Sequence, residues 1–470
     1  MVLNIAPSEI GSQAKAGKIK ISVIGLGQVG LYLARHLAKN GVSVIGADID
    51  VRKVNSMNQE LPHLNTDPLI VASSELRGDN HLQFTSNVAE AVRSANIHFL
   101  CVPSPLSSDK QPDLSAVFDA SDAIGKGLKN GDLVIVESTV YPGVTTEIIK
   151  PTLEKSSGLR AGEDFGLSHC FERIDPGNTQ HRLDNIPRVV GAIDERSAAA
   201  TSAIYSIITD APIIEVRNCE TAELVKLVEN VYRDINIAFV NELALLCERL
   251  GIDVLEVLKA ASTKWSFHPH IPSAGVGGMC IPINPYYLLK CARDAGLDLK
   301  LVRQAREITE SMPHHMVELV DKALNKIGKT VSDSKICILG LAYKADMDDS
   351  RGAPGREIAG ELKQLGAEVV CYDPLISPIS QGVNFESSFE VAVKGSDCIL
   401  ITCDHSCFES LDLQTIARLA NNPLAIVDGM HVLVPREMEA LGITYIGLGR
   451  NQNSNLNIWN SRLKDKAQER

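Results

Sequence analysis

Apolar residues along this chain fall into two rhythms. Short, mainly apolar runs at Ile19–Ile24, Val42–Ala47, Ile97–Val102 and Leu133–Val136 have the pattern of strands buried on both faces of a parallel sheet. Leu31–Lys39, between the first two runs, has helical spacing and is stopped by Gly41. The same rhythm returns in the last third. Lys335–Leu339, Glu368–Tyr372, Cys398–Thr402 and Ala425–Val427 read as strands, and a helix runs from about Gly355 to Leu365 before Gly366. Between the two blocks, Asn218–Leu250 is the longest helical pattern. Leu224, Leu227, Val228, Val231, Ile235, Phe239, Leu243 and Leu246 recur there at three- and four-residue intervals, and Gly251 closes it. This order predicts an α/β chain of two Rossmann-like doubly wound domains joined by a long central helix and a small helical domain. The expected bounds are a soft tail (1–18), a first domain (19–216), a helical domain (217–325), a second doubly wound domain (330–450) and a mobile polar tail (451–470).

The first strand runs into Gly25-Leu26-Gly27-Gln28-Val29-Gly30, and the second ends at Asp48, 23 residues after Gly25. Strand, glycine turn, helix, strand and acid make up the dinucleotide-binding unit. Gly25 would permit the tight turn, Gly27 the approach of a pyrophosphate, and Gly30 close helix–strand packing. Asp48 would accept a ribose hydroxyl and repel a 2′-phosphate, which favours NAD over NADP. Arg52 and Lys53 stand close by and weigh the other way. Gln28, Val29 and Lys53 complete the expected cofactor contacts on this unit. Pro103-Ser104-Pro105 and Glu137-Ser138-Thr139 lie at carboxyl ends of strands, where a parallel sheet places its ligand.

In the last third, the interval from Gly366 to Asp373 repeats that from Gly41 to Asp48, but the turn after Gly340 lacks the second and third glycines of the fingerprint. This half need not bind NAD. Its loop Tyr343–Arg351 carries both signs of charge before a helix N-terminus and suits a phosphate-bearing ligand.

Composition narrows the classes. The chain has 470 residues, 44% apolar and 22% charged, and a net charge of −12, which argues against a nucleic-acid binder. No apolar run reaches the ~20 residues of a membrane span. The first 18 residues lack an apolar h-region, so no secretory leader is expected. Eleven irregularly spaced cysteines outside CxxC pairs fit free thiols in a reducing cytoplasm, with no disulfide framework and no metal site.

One cysteine stands apart. Ala274-Gly275-Val276-Gly277-Gly278-Met279-Cys280-Ile281-Pro282 sets Cys280 behind a glycine cluster that allows close approach of a ligand. A thiol so presented suits a nucleophile toward a carbonyl carbon. A tight turn whose cysteine only packs would carry the same residues.

Together these elements resemble the nucleotide-sugar 6-dehydrogenases, the UDP-glucose and UDP-N-acetylhexosamine dehydrogenase family. Six segments carry the resemblance in order from Ile21 to about Gly449: Gly25–Gly30, Glu137–Gly143, Phe171–Asn178, Glu223–Asn230, Gly275–Tyr287 and Gly340–Arg351. The resemblance implies oxidation of the C6 hydroxymethyl of a nucleotide sugar to a carboxylate with two NAD⁺. Cys280 matches the family's catalytic cysteine, Lys226 and Asn230 its helix lysine and the asparagine one turn on, and Glu172 the carboxylate that assists thioester hydrolysis through water. Thr139 and Glu137 belong to the strand end near the nicotinamide and the catalytic water. Arg173, Gly277, Gly278, Lys344 and Arg351 fall with Glu172, Lys226 and Asn230 among the implied sugar-nucleotide contacts. The Phe171–Asn178 segment, Asn185–Gly191 and Asp234–Val257 resemble the N-acetylhexosamine branch. That implies UDP-GlcNAc or UDP-ManNAc as substrate and a uronic acid for polysaccharide or glycan assembly. The alternatives are UDP-glucose oxidation or an inactive sugar-nucleotide-binding homologue. Relatives pair through the long helix, so a homodimer or larger even oligomer is implied.

Four positions depart from the family pattern. Met279 replaces a common His, Asn284 a common Asp that helps hold the catalytic water, His270 an Arg after a His-Pro pair, and Met430 a frequent Arg. The Asn284 amide cannot act as a carboxylate base, which shifts hydrolysis toward Glu172.

Overall fold

The computed structural model describes residues 2–59, 81–175, 178, 180–377, 383–461 and 463–464; Pro176 and Gly177 of the Phe171–Asn178 motif lie outside them. The chain divides into two compact units, Met1–Glu229 with Tyr286–Asp298, and Asn230–Pro285 with Leu299–Arg470. Of residues 217–325, 217–229 and 286–298 fall in the first unit and 230–285 and 299–325 in the second. No helix among the described residues is long and apolar enough to cross a membrane.

The first unit is built on a sheet of β1 (Ile21–Ile24), β2 (Val44–Ala47), β3 (Leu82–Thr85), β4 (Ile97–Leu100), β5 (Leu133–Val136), β6 (Gly166–His169), β7 (Arg188–Ala192) and β8 (Ile213–Val216). Their spatial order is β3-β2-β1-β4-β5-β6-β7-β8, parallel throughout except between β6 and β7. The central strands β1, β4 and β5 are buried along their whole length; the two polar residues among them, Ser22 and His98, bond each other at 2.8 Å, and His98 also meets Asp132 at 3.2 Å. The order reverses between β1 and β4, so the turns after Ile24 and Leu100 flank the crevice in which such sheets bind ligands.

Residues expected to form a soft N-terminal tail are folded. A helix spans Pro7–Lys15, and Ile10 and Ala14 are fully buried in the core with Ile204 and Tyr205. Polar residues on its outer side masked the buried edge in a one-dimensional reading.

The second unit carries a parallel sheet of β9 (Lys335–Leu339), β10 (Glu368–Tyr372), β11 (Cys398–Ile401), β12 (Ala425–Asp428) and β13 (Thr444–Gly447), in the order β10-β9-β11-β12-β13. Its turn after β9 corrects the sequence reading. Gly30 is irreplaceable in the first unit because a Cβ there would sit 1.9 Å from the Gly25 carbonyl oxygen, and Gly355 does the same task against the Gly340 oxygen at 2.9 Å. The third glycine is therefore present, moved downstream by a longer loop. Within the expected polar tail, the described residues up to Lys464 include packed ones: Ile458 donates its N–H to the His431 carbonyl at 2.7 Å, and Ile458 and Leu463 are buried. A helix of 32 residues, Cys219–Leu250, begins in the first unit and ends in the second.

Candidate active site

In the first unit the glycine turn leads into the helix Gln28–Lys39, whose first turn holds no acid and whose Gly27 cap brings no side chain to the exposed amides. A Cβ at Gly27 would meet nothing within 4 Å, so the approach is open to a pyrophosphate on the helix N-terminus. Asp48 closes the turn. Its Oδ2 accepts the Leu26 N–H at 2.9 Å and the Lys53 ammonium at 2.9 Å, and its Oδ1 accepts the Asp50 N–H at 3.0 Å. Burial works against the charge of Asp48, but these donors outweigh it and hold the carboxyl below its ordinary range. A carboxylate has about four acceptor positions, so one remains for a ribose hydroxyl. Lys53 is spent on Asp48. Across the crevice, the Ser104 hydroxyl donates to the Thr139 carbonyl at 2.6 Å, and Tyr287 donates to the Ser104 carbonyl at 2.8 Å. The residues at the ends of β4 and β5 thus brace each other, and this chain's own groups fit a dinucleotide.

Next to β5 and β7 lies a buried ionic cluster. Glu172 Oε1 accepts the N–H groups of Arg173 and Ile174 at 2.5 and 2.6 Å, and its Oε2 accepts Arg188 Nη2 at 3.0 Å. Lys226 donates to the Glu172 carbonyl and lies 5.6 Å from the centre of the Phe171 ring. Arg173 is directed away from the carboxylate, to Glu229 and to the Pro187 carbonyl. Glu137 is buried and accepts the Tyr205 hydroxyl. Burial, followed by the charge of Glu172, pushes its carboxyl up to about 7 against the pull of Arg188.

A third carboxylate joins the helix Cys219–Leu250 to the Glu137–Gly143 segment. Glu223 is fully buried and accepts the Gly143 N–H at 2.7 Å and the Thr145 N–H at 2.8 Å. Burial pushes it to about 7 despite those two bonds. The unfolded chain then releases this proton earlier than the folded one, so the linked stability falls as pH rises from about 4.5 to about 7. Glu223→Gln is expected to flatten part of that fall. It should also lower stability at pH 7 by about 1–3 kcal/mol, because one amide nitrogen would face a backbone donor. Urea midpoints from pH 5 to 8 check both; an unchanged midpoint and slope would remove Glu223 from this role.

In the second unit the cysteine segment is docked through its glycines. Gly278 donates its N–H to the Arg351 carbonyl at 2.9 Å. A Cβ at Gly277 would lie 2.6 Å from the Gly352 oxygen and 2.8 Å from Tyr343 Cβ. Cys280 is exposed, as is Cys407; Cys291 is half-buried and the other eight cysteines are buried, all of them free thiols. The Cys280 carbonyl accepts the Ile283 and Asn284 N–H groups at 3.2 and 3.0 Å, which turns the chain directly after the thiol. Asn284 is buried with its Nδ2 unpartnered, and so is Nδ2 of Asn230. Arg351 forms a fork on Asp349, with Nε 2.9 Å from Oδ1 and 3.0 Å from Oδ2, and the Cys280 thiol lies within reach of its charge.

The loop behind the cysteine segment is held by Asp373. Its Oδ2 accepts Leu341 and Ala342 N–H groups at 2.7 and 2.9 Å and faces His405 Nε2 at 3.1 Å. His405 Nδ1 receives the Asp346 N–H at 3.1 Å, and Asp346 takes a left-handed φ of 60°. Lys344 is half-buried in this braced loop.

Comparison with known proteins now decides the family. Residues 19–209 match the NAD binding domain of the UDP-glucose/GDP-mannose dehydrogenase family, 220–311 its central domain, and 337–435 its UDP binding domain. The chain belongs to the UDP-glucose/GDP-mannose dehydrogenase family. This dehydrogenase takes NAD as cofactor through the first of those domains. It is 35% identical over 432 residues to a UDP-N-acetyl-D-mannosamine dehydrogenase of Pyrococcus horikoshii, covering 92% of this chain and 99% of the other. It is equally 35% identical over 419 residues to a UDP-N-acetyl-D-glucosamine 6-dehydrogenase of Pseudomonas aeruginosa, covering 88% and 97%. Among solved structures, the UDP-D-ManNAc dehydrogenase from P. horikoshii superposes with a TM-score of 0.85 at 34% identity, covering 92% of this chain and 100% of that one.

Within this dehydrogenase, Arg173 and Lys226 lie over the ring of Phe171, next to Glu172, while Gly277 and Gly278 pack against Tyr343 and Gly278 bonds the Arg351 carbonyl. Burial holds the His270 imidazole below its ordinary range against its hydrogen bond with the His268 carbonyl, and the charges of Arg233 and His268 act in the same direction as burial. Met430 packs among apolar side chains of the second unit. Sequence reasoning passed over Arg188, Tyr205 and Glu223. Arg188 did carry a signal, a charged residue opening the apolar run Val189-Val190. Nothing in one dimension marked Tyr205.

Proposed function

We propose that this dehydrogenase oxidises C6 of a UDP-N-acetylhexosamine, UDP-GlcNAc or UDP-ManNAc, to the uronic acid. The observation that carries the reading is the exposed thiol of Cys280, held by glycines against the Tyr343–Arg351 loop, in a chain whose relatives at 35% identity act on both of these sugars. When bound, NAD⁺ supplies a two-electron hydride acceptor, once for each of two oxidations per sugar.

The residues divide the remaining work. Lys226 and Asn230 donate to the C6 oxygen as charge develops on it, and the unpartnered Asn230 Nδ2 has a donor to spare. Cys280 adds through sulfur to the C6 aldehyde as the thiol proton passes to the C6 oxygen, giving a thiohemiacetal that becomes a thioester once the second hydride and that hydroxyl proton have left, the proton to water. Water then adds to the thioester carbon, its proton passes to Glu172, the carbon–sulfur bond breaks and Cys280 leaves as thiolate. Lys344 and Arg351 hold the UDP portion, with Gly277 and Gly278 allowing close approach.

Two further readings belong with this one. The helix Cys219–Leu250 leaves Leu224, Val228, Tyr232, Phe239, Leu246 and Leu250 between 40% and 59% exposed, an apolar stripe that a second copy would cover in a homodimer. Eleven free thiols and a net charge of −12 suit a cytoplasmic enzyme with no nucleic-acid partner.

The test is one panel: purified protein and NAD⁺ with UDP-GlcNAc, UDP-ManNAc, UDP-glucose or UDP-galactose, with NADH read at completion. Two NADH per sugar from one N-acetylated substrate is the expected result. Turnover of UDP-glucose alone would move the substrate to the other branch, and no turnover with any sugar would overturn the reading.

A further inference from the structure

Arg188 is fully buried at the start of β7. An unpaired guanidinium there would be strongly destabilising, and even a paired one is commonly replaceable by apolar side chains without loss of stability. Its presence in the core therefore calls for a task. The contacts are specific. Nη2 donates to the Glu172 carboxylate at 3.0 Å, and Nη1 donates to the Phe171 carbonyl at 3.2 Å. One planar fork thus grips the backbone of one residue and the side chain of the next, which a flexible ammonium would not do with fixed geometry. Behind the fork, the guanidinium carbon lies 5.1 Å from the centre of the Tyr205 ring. The Tyr205 hydroxyl donates to Glu137 and, at 3.3 Å, to the Cys170 carbonyl.

These contacts determine where the Glu172 carboxylate faces. Oε1 is occupied by two backbone N–H groups and Oε2 by Arg188, which leaves Oε2 one acceptor position. We propose that Arg188 is a positioning residue for thioester hydrolysis: its guanidinium aims that free acceptor position of Glu172 at the attacking water, and the Tyr205–Glu137 pair fixes the guanidinium plane. The proposal rests on Glu172 serving as the hydrolytic base.

The arrangement adds a dependence on pH. Glu137 is faced by Glu172, Arg188, Tyr205 and Lys226, and the buried thiols Cys101 and Cys170 lie within reach of its charge. Its carboxyl is raised to about 7 by burial and then by Glu172. Below that pH Glu137 is neutral and Arg188 answers to Glu172 alone. Above it the guanidinium is shared between two carboxylates. The hydrolytic rate should therefore show an inflection near pH 7 that Glu137→Gln abolishes.

The experiment uses the full-length protein with NAD⁺ and whichever UDP-sugar it turns over, reading NADH by stopped flow and the covalent state of Cys280 by intact mass after acid quench. Arg188→Met is expected to keep a burst of two NADH per chain, to slow steady-state turnover by about 100-fold, the lower end of a general base's contribution, and to accumulate the thioester adduct. Arg188→Lys should fall between it and the parent, and Tyr205→Phe should shift the pH inflection with a smaller loss of rate.

Should Arg188→Met not fold, as judged by its thermal transition, Arg188→Lys and Tyr205→Phe decide. Parent-like steady state in the folded Arg188 variants, or loss of burst and steady state in equal measure, would overturn the proposal. Glu172→Gln separates the two levels. If it accumulates the adduct and the Arg188 variants do not, the positioning role falls; if it accumulates none while the parent releases two NADH, the base assignment to Glu172 falls instead.

Discussion

Cys280→Ala is expected to abolish conversion to the uronic acid, with a loss of ~10³-fold or more in the rate of acid formation, because the covalent route loses its nucleophile. The expected cost in stability is small. Cys280 is exposed, and the turn after it is built from its carbonyl and the N–H groups of Ile283 and Asn284, which alanine retains. The measurement is the acid product together with NADH per sugar and the thermal transition. A folded variant that still releases two NADH per sugar at the parent's rate would remove the thiol from the mechanism. A variant that binds NAD and sugar, stops at one NADH or fewer and makes no acid supports it. This result tests the chemistry only, and says nothing about how the thiol is placed.

Placement is tested by Gly277→Ala. A Cβ at this position would meet the Gly352 oxygen at 2.6 Å, a backbone atom that cannot swing aside, and Tyr343 Cβ at 2.8 Å. The cysteine segment must then lift from the Tyr343–Gly352 strip, at a cost of about 1–3 kcal/mol in strain. The segment is anchored at Gly278 by one hydrogen bond to Arg351, so the movement is expected to spread to Cys280. The expected outcome is a fall of about 100-fold in kcat/KM for the sugar, as a misplacement near 1 Å produces, with NAD affinity unchanged and the thermal transition lowered by a few degrees. Gly360→Ala is the control. It lies in the helix Pro354–Gln364 with nothing within 4 Å of a new Cβ, so it should leave activity at the parent level. Parent-like kcat/KM in Gly277→Ala would mean that the docking of this segment does not position the thiol.

Much of this could be read from the sequence because the signals are local. Strands buried on both faces must be mainly apolar, so β1, β4, β5 and β9 announce themselves. The turn after β1 must hold glycine where a Cβ would meet backbone, and the acid that closes it must follow the next strand, so Gly25, Gly30 and Asp48 stand at fixed intervals. The glycine-framed Cys280 was visible for the same reason.

The tertiary structure decided what depends on residues far apart in the chain. Arg188, Tyr205 and Glu137 meet Glu172 only because β5, the segment after β6, β7 and the end of the helix Glu195–Tyr205 converge. No periodicity in one dimension records that convergence. The third glycine of the second turn was missed because a longer loop carries Gly355 away from its usual interval, although its contact with the Gly340 oxygen is the same one that Gly30 makes. The N-terminal residues looked like a tail because only Ile10 and Ala14 of the helix Pro7–Lys15 reach the core. By itself the sequence determined the two doubly wound sheets, the cofactor turn and the thiol, since each is imposed by contacts within a few residues or by burial on both faces. Only the folded chain settled which charges share the interior with Glu172, because the cost of burying each is offset by partners that the fold alone brings within hydrogen-bonding distance.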